Sequence, residues 1–72
     1  MFKEIFVNIL QGRNISAYKL SAMTGLTQSI ISKYKSGTIK PTYDNMLIIA
    51  DCLNVSVDYL MGRTDNPNSH KL

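Results

Sequence analysis

Between Ile15 and Gly37 the sequence ISAYKLSAMTGLTQSIISKYKSG leaves the backbone little choice. Ser16 is a strong helix N-cap, and Leu20 and Met23 follow it at helical spacing. Gly25 then supplies the backbone freedom that a sharp turn between two helices needs, with Leu26 placed to plug the corner. Thr27 caps a second helix whose buried stripe is Ile31 and Tyr34, and Gly37 closes it. Between the apolar positions lie Gln28, Ser29, Ser32, Lys33 and Ser36, which are polar, slender and free of acids. Side chains of that kind suit a helix lying in a groove of base edges and phosphates. The stretch therefore reads as two helices and a turn built to meet DNA.

The remainder is short enough to be judged by what it can support. Seventy-two residues make one domain, and a chain of that size buries only about 60% of its unfolded surface. It must use its core efficiently or lean on a second subunit. Phe2 to Gln11 reads as a first helix, with Phe2, Phe6, Ile9 and Leu10 as its stripe and Gly12 at its exit. Ile5 and Val7 lie off that stripe, either as scattered surface hydrophobics or as part of a contact surface. Further helices are expected at about Ala17 to Thr24 and Gln28 to Ser36, followed by a loop from Thr38 to Pro41. Thr42 caps a fourth helix with Asp44 in its first turn and Met46, Leu47, Ile49, Ala50 and Leu53 on its buried face. Asn54 is placed to take a left-handed C-terminal position. Ser56 caps a short fifth helix, Val57 to Met61, ended by Gly62. The pattern is all-α, five helices and no strand. Residues 1–65 form the domain and residues 66–72 a polar tail that frays.

Charge is unevenly distributed within the net +3. From Ile5 to Tyr43 there are five cations, Arg13, Lys19, Lys33, Lys35 and Lys40, and no acid. From Asp44 onward come four acids, Asp44, Asp51, Asp58 and Asp65, against Arg63 and Lys71. Lys3 and Glu4 cancel. The basic half contains the groove helix, which implies either a polyanion partner or an ordinary solvated face with a basic bias.

Catalysis is excluded by what is missing. His70 is the one histidine and lies in the tail, and Cys52 is the one cysteine, with no candidate base near it in sequence. The acids recur every seven residues as helix-start and surface charges. The glycines are isolated terminators rather than a phosphate-binding loop. No cofactor, metal or small-molecule substrate is implied. A lone cysteine excludes an internal disulfide, nothing at the N-terminus resembles a signal peptide, and no apolar run reaches membrane-spanning length. The expected location is the cytoplasm.

The ISAYKLSAMTGLTQSIISKYKSG stretch is followed by IKPTYDNMLIIADCLNVSVDYLMGRTD. Together these resemble the lambda-repressor-like helix-turn-helix domains of the Cro/CI type, also called the XRE family, over Phe2 to Asp65. The second motif, a Gly-x-x-x-Pro-Thr loop leading into a patterned helix pair, is far more specific than the first. The resemblance implies a compact five-helix bundle whose recognition helix begins near Thr27. It implies base contacts from Gln28, Ser29, Ser32 and Lys33, and phosphate contacts from Ser16, Thr27, Ser36, Thr38, Lys40 and Tyr43. It also implies a homodimer paired through Val55, Val57, Asp58, Tyr59 and Met61. Side-chain chemistry agrees on the readers, since Gln pairs bidentately with adenine, Lys reaches the guanine O6/N7 edge, and Ser donates or accepts. Two positions depart from the family: Ala17 replaces a phosphate-gripping Gln, and Leu10 with Lys35 replaces an Arg–Glu ion pair.

The function expected is that of a small prophage-type or chromosomal regulator, a repressor binding a palindromic operator in double-stranded DNA. The competing reading is a protein-interaction module of the same fold, such as an antitoxin or an anti-repressor partner. A third is that the residues form one domain of a longer regulator.

Overall fold

The computed structural model describes residues 1–67 of the chain. Five α-helices follow one another among them: α1 (Phe2–Gly12), α2 (Ala17–Thr24), α3 (Gln28–Ser36), α4 (Tyr43–Leu53) and α5 (Val57–Leu60). Local chemistry starts four of them. Ser16, Thr27, Thr42 and Ser56 stand in extended backbone and accept the N–H three residues on, from Lys19, Ile30, Asn45 and Tyr59 at 3.0–3.2 Å. Each such cap is worth about 1 kcal/mol.

One device ends four of the five. A residue at positive φ turns the chain, and the N–H after it bonds back to the carbonyl five residues earlier. The turning residues are Asn14 (φ 55), Gly37 (φ 79), Asn54 (φ 59) and Gly62 (φ 79). The bonds are Ile15 to Leu10, Thr38 to Lys33, Val55 to Ala50 and Arg63 to Asp58. In the first and third, the apolar residue after the turn, Ile15 or Val55, folds onto the core. Asn14, not Gly12, therefore makes the exit from α1, and α5 stops at Leu60 rather than Met61. The described part of the tail is tied back too, for Pro67 O accepts the Ser56 N–H at 2.7 Å. The rest of the expected tail, residues 68–72, lies outside the described residues.

α3 packs on α1 and α2, α4 on α2 and α5, and α5 closes against α1. The core is Phe6 and Leu10 of α1, Leu20 of α2, Ile31 and Tyr34 of α3, the stripe Met46, Ile49, Ala50 and Leu53 of α4, then Val55 and Leu60. Leu47, expected in that stripe, is 43% exposed. The pattern i, i+3, i+4, i+7 starts at Met46, and Leu47 sits about 100° around the helix from it. Met23 is exposed as well, because the inward side of α2 runs through Ala17, Leu20 and Thr24. Ile5 is half-buried and packs against the core, so it is neither scattered surface nor a free patch.

Leu10 is 2% exposed, and it lines a shallow depression with Val7, Gln11, Ile15 and Lys35. An Arg here would bury a charge beside a lysine. Leu10→Arg should destabilise the fold by about 3 kcal/mol or more, and adding Lys35→Glu should recover part of that loss. Urea denaturation of the two single variants and the double checks the coupling, which vanishes if the positions are not neighbours.

Candidate nucleic-acid interface

The turn between α2 and α3 is held by side chains of α2. Thr24 Oγ1 donates to Leu20 O at 2.8 Å and accepts the Leu26 N–H at 3.1 Å, while Ser21 Oγ donates to the Leu26 carbonyl. Both backbone groups of Leu26 are thus fixed from one helix. Gly25, at φ 80, supplies the left-handed step that lets the chain reverse there, which an L side chain adopts only with strain.

Beyond that turn, Thr27 starts α3 with two faces. Ile31 and Tyr34 point inward at 0% and 1% exposure. Gln28, Ser29, Ser32 and Lys33 are all exposed, and none uses its side chain on a bond to another described residue. Their i, i+1, i+4, i+5 spacing makes one outward strip. The four positions expected to read bases therefore stand together.

Tyr34 also ties this helix to two others. Its ring meets Phe2 of α1 edge-on, with centroids 6.3 Å apart, and Phe2 stacks on Phe6 at 5.0 Å. Its hydroxyl accepts from Asn45 Nδ2 at 2.8 Å. Asn45 lies in the first turn of α4, where its own N–H is taken by Thr42. Sequence reasoning missed this link. The available signal was a polar residue three positions after a Thr cap, a place from which a side chain can turn inward.

The expected phosphate contacts divide by the state of their hydroxyls. Ser16 and Thr27 use lone pairs as caps and keep their O–H to donate, beside the open N–H groups of a helix start. Ser36 and Thr38 are turned on one another, their oxygens 2.6 Å apart, and Ser36 Oγ also lies 3.1 Å from Lys33 O. Thr38 keeps a proton for an outside acceptor only when Ser36 donates to it. Lys40 is exposed. Tyr43, 68% exposed, lines a groove between α4 and α5. Ala17 is half-buried against the core and offers a phosphate nothing.

Basic charge sorts just as unevenly. Lys19, Lys33 and Lys40 are exposed, whereas Lys35 is half-buried beside Leu10. Arg13 turns its Nη1 to the Leu53 carbonyl at the end of α4, a structural use at the negative end of a helix dipole.

The α4/α5 groove has a volume of about 490 Å³ and is bordered by Tyr43, Leu47, Asp51, Val57, Asp58 and Met61. Val55, expected on an outer dimer surface, is 4% exposed and reaches the groove only as its floor, because the turn at Asn54 folds it onto its own core. Met61 is 37% exposed, while Val57, Asp58 and Tyr59 are half-buried. Asp58 lies 3.7 Å from Arg63. Cys52 donates to the Met23 carbonyl at 3.4 Å, and burial, helped by Asp51, pushes its thiol pKa up. It is therefore a poor nucleophile.

A family model described as helix-turn-helix matches residues 8–60. The chain belongs to the helix-turn-helix family. This helix-turn-helix chain is 28% identical over 94% of its length to an uncharacterized HTH-type transcriptional regulator of Bacillus subtilis, YobD. It is 31% identical over 97% of its length to the cryptic phage CTXphi transcriptional repressor RstR of Vibrio cholerae. It spans 61% and 62% of those two relatives. No solved structure gives a significant match. Both relatives are named as transcriptional regulators. Among the described residues, no helix is long and apolar enough to cross a membrane.

Because the hydroxyl of buried Tyr34 is bonded to half-buried Asn45, Tyr34→Phe should lower stability by about 1 kcal/mol without changing the urea m-value. An unchanged midpoint would mean that the bond contributes nothing to the fold.

Proposed function

We propose that this helix-turn-helix domain binds a palindromic operator in double-stranded DNA as a homodimer and represses transcription, acting in the cytoplasm. The observation that carries the reading is the outward strip of α3. Gln28, Ser29, Ser32 and Lys33 stand together and unengaged, on a helix whose opposite face is core. Such a strip enters a major groove, where Gln and Lys discriminate bases and the serines adapt to them. Ser16, Thr27 and Lys40 then set the helix in register by holding phosphates, with Thr38 assisting when Ser36 donates to it. Repression is supported by the likeness to the transcriptional repressor of the Vibrio cholerae phage.

The homodimer reading is supported by the α4/α5 groove. Leu47 and Met61 are apolar and exposed beside it, at 43% and 37%, together with the ring of Tyr43. Pairing two copies there covers a surface that a monomer of this size leaves wet. Two-fold pairing sets two recognition helices about one DNA turn apart, roughly 34 Å, and so doubles the few base pairs one helix reads.

Gln28→Ala and Lys33→Ala should each weaken specific binding by about 1–3 kcal/mol and relax the preference at one base position, while Lys40→Ala weakens binding to all sequences alike. Titrations against a selected site and against random duplex check this division, and equal losses on both for all three variants would remove it. For the dimer, Leu47→Asp should abolish cooperative binding to a palindrome and shift the sedimenting species to a monomer, with Val7→Asp leaving both unchanged. The reverse result would move the interface to α1.

A further inference from the structure

In the sequence, Lys3 is cancelled by its neighbour Glu4, but the ion pair that Glu4 makes is with the chain's amino group. Glu4 takes the N-terminal ammonium of Met1 at 3.0 Å, a bond that also holds its carboxyl below the usual range. Lys3 has no ion pair or hydrogen bond among the described residues. Its aliphatic stem instead runs past Gly37. A β-carbon on that glycine would stand 3.0 Å from Lys3 Cδ, 3.8 Å from Cγ and 3.9 Å from Cε. The stem therefore passes Gly37, the residue between Ser36 and Thr38, and carries the ammonium one bond beyond Cε.

Two further features hold the lysine there. Phe2, its neighbour in the chain, is fixed against Phe6 and against Tyr34 of the recognition helix, so the first turn of α1 is anchored to the end of α3. Gly37 has no side chain to push the stem away. The placement also goes against local helix chemistry, because a cation in the first turn of α1 faces the positive end of that helix dipole. Violations of local preference are expected where function requires them.

We propose that Lys3 is a further phosphate-contacting residue, delivered from the start of the chain to the exit of the recognition helix. It adds a third exposed lysine to Lys33 and Lys40. The proposal rests on the DNA-binding reading above. It adds a phosphate contact and no base readout, since the ammonium emerges past the end of α3 rather than from its outward strip.

The test is the salt dependence of binding to a duplex carrying the selected site, measured for the wild-type chain, Lys3→Ala and Lys3→Arg. Losing one phosphate contact lowers the slope of log K against log salt by about 0.9 in magnitude. Lys3→Ala should show that drop with unchanged base preference and unchanged urea midpoint, and Lys3→Arg should restore the slope. A slope equal to that of the wild type overturns the proposal, and so does an altered urea midpoint without a change in slope, which marks a lysine serving only the helix dipole of α3. If the wild-type chain itself shows no salt-dependent binding, the DNA-binding reading falls and the Lys3 contact falls with it. A normal wild-type slope that Lys3→Ala leaves intact removes the Lys3 contact alone.

Discussion

The recognition helix is held by its underside. Ile31 and Tyr34 are sealed in the core, and everything presented on the other face of α3 depends on that burial. In a domain of this size there is no separate interior to support a surface from a distance, so the back of the exposed strip is itself a large part of the core. Tyr34 shows the economy most clearly. One side chain packs on α1 through Phe2 and reaches α4 through Asn45, so the helix is located against two others. On the proposed reading, the strip above it needs little further ordering before it meets a groove, which limits the entropy lost on binding.

Geometry also separates charges that look alike in the sequence. Arg13 and Lys33 both belong to the basic half, yet Arg13 is committed to a carbonyl at the end of α4 while Lys33 is free on the outer strip. Glu4, the one acid of the N-terminal half, is occupied by the N-terminus. The effect is a basic surface around α3 that holds fewer cations than a count predicts. The acids of the C-terminal half border the α4/α5 groove instead, where Asp51 and Asp58 lie among apolar side chains.

Much of the architecture was legible because helix ends are written in short-range chemistry. Ser16, Thr27, Thr42 and Ser56 cap the helices they were expected to cap, and Gly25, Gly37 and Asn54 turn left-handed where expected. What escaped is set by partners far away in the chain. Asn14, rather than the adjacent glycine, ends α1 because Ile15 must fold onto the core. Leu47 is apolar and yet exposed, since only the axis of α4, fixed by Met46 and Leu53, decides which leucine faces in. Nothing local reveals that Asn45 binds Tyr34, that Arg13 finds Leu53, or that Pro67 accepts from Ser56. For the site, the outward strip of α3 was legible in residue type and period. The mutual engagement of Ser36 and Thr38 was not, because it arises only once Gly37 has turned.

The central claim is that the exposed strip of α3 reads DNA sequence, two copies at a time. Selection of bound duplexes from a random pool, followed by footprinting of the enriched site, tests it most directly. The account predicts an inverted repeat with half-site centres about one helical turn apart, roughly 10 base pairs, protected on both halves. A pool that emerges without an enriched sequence would contradict it.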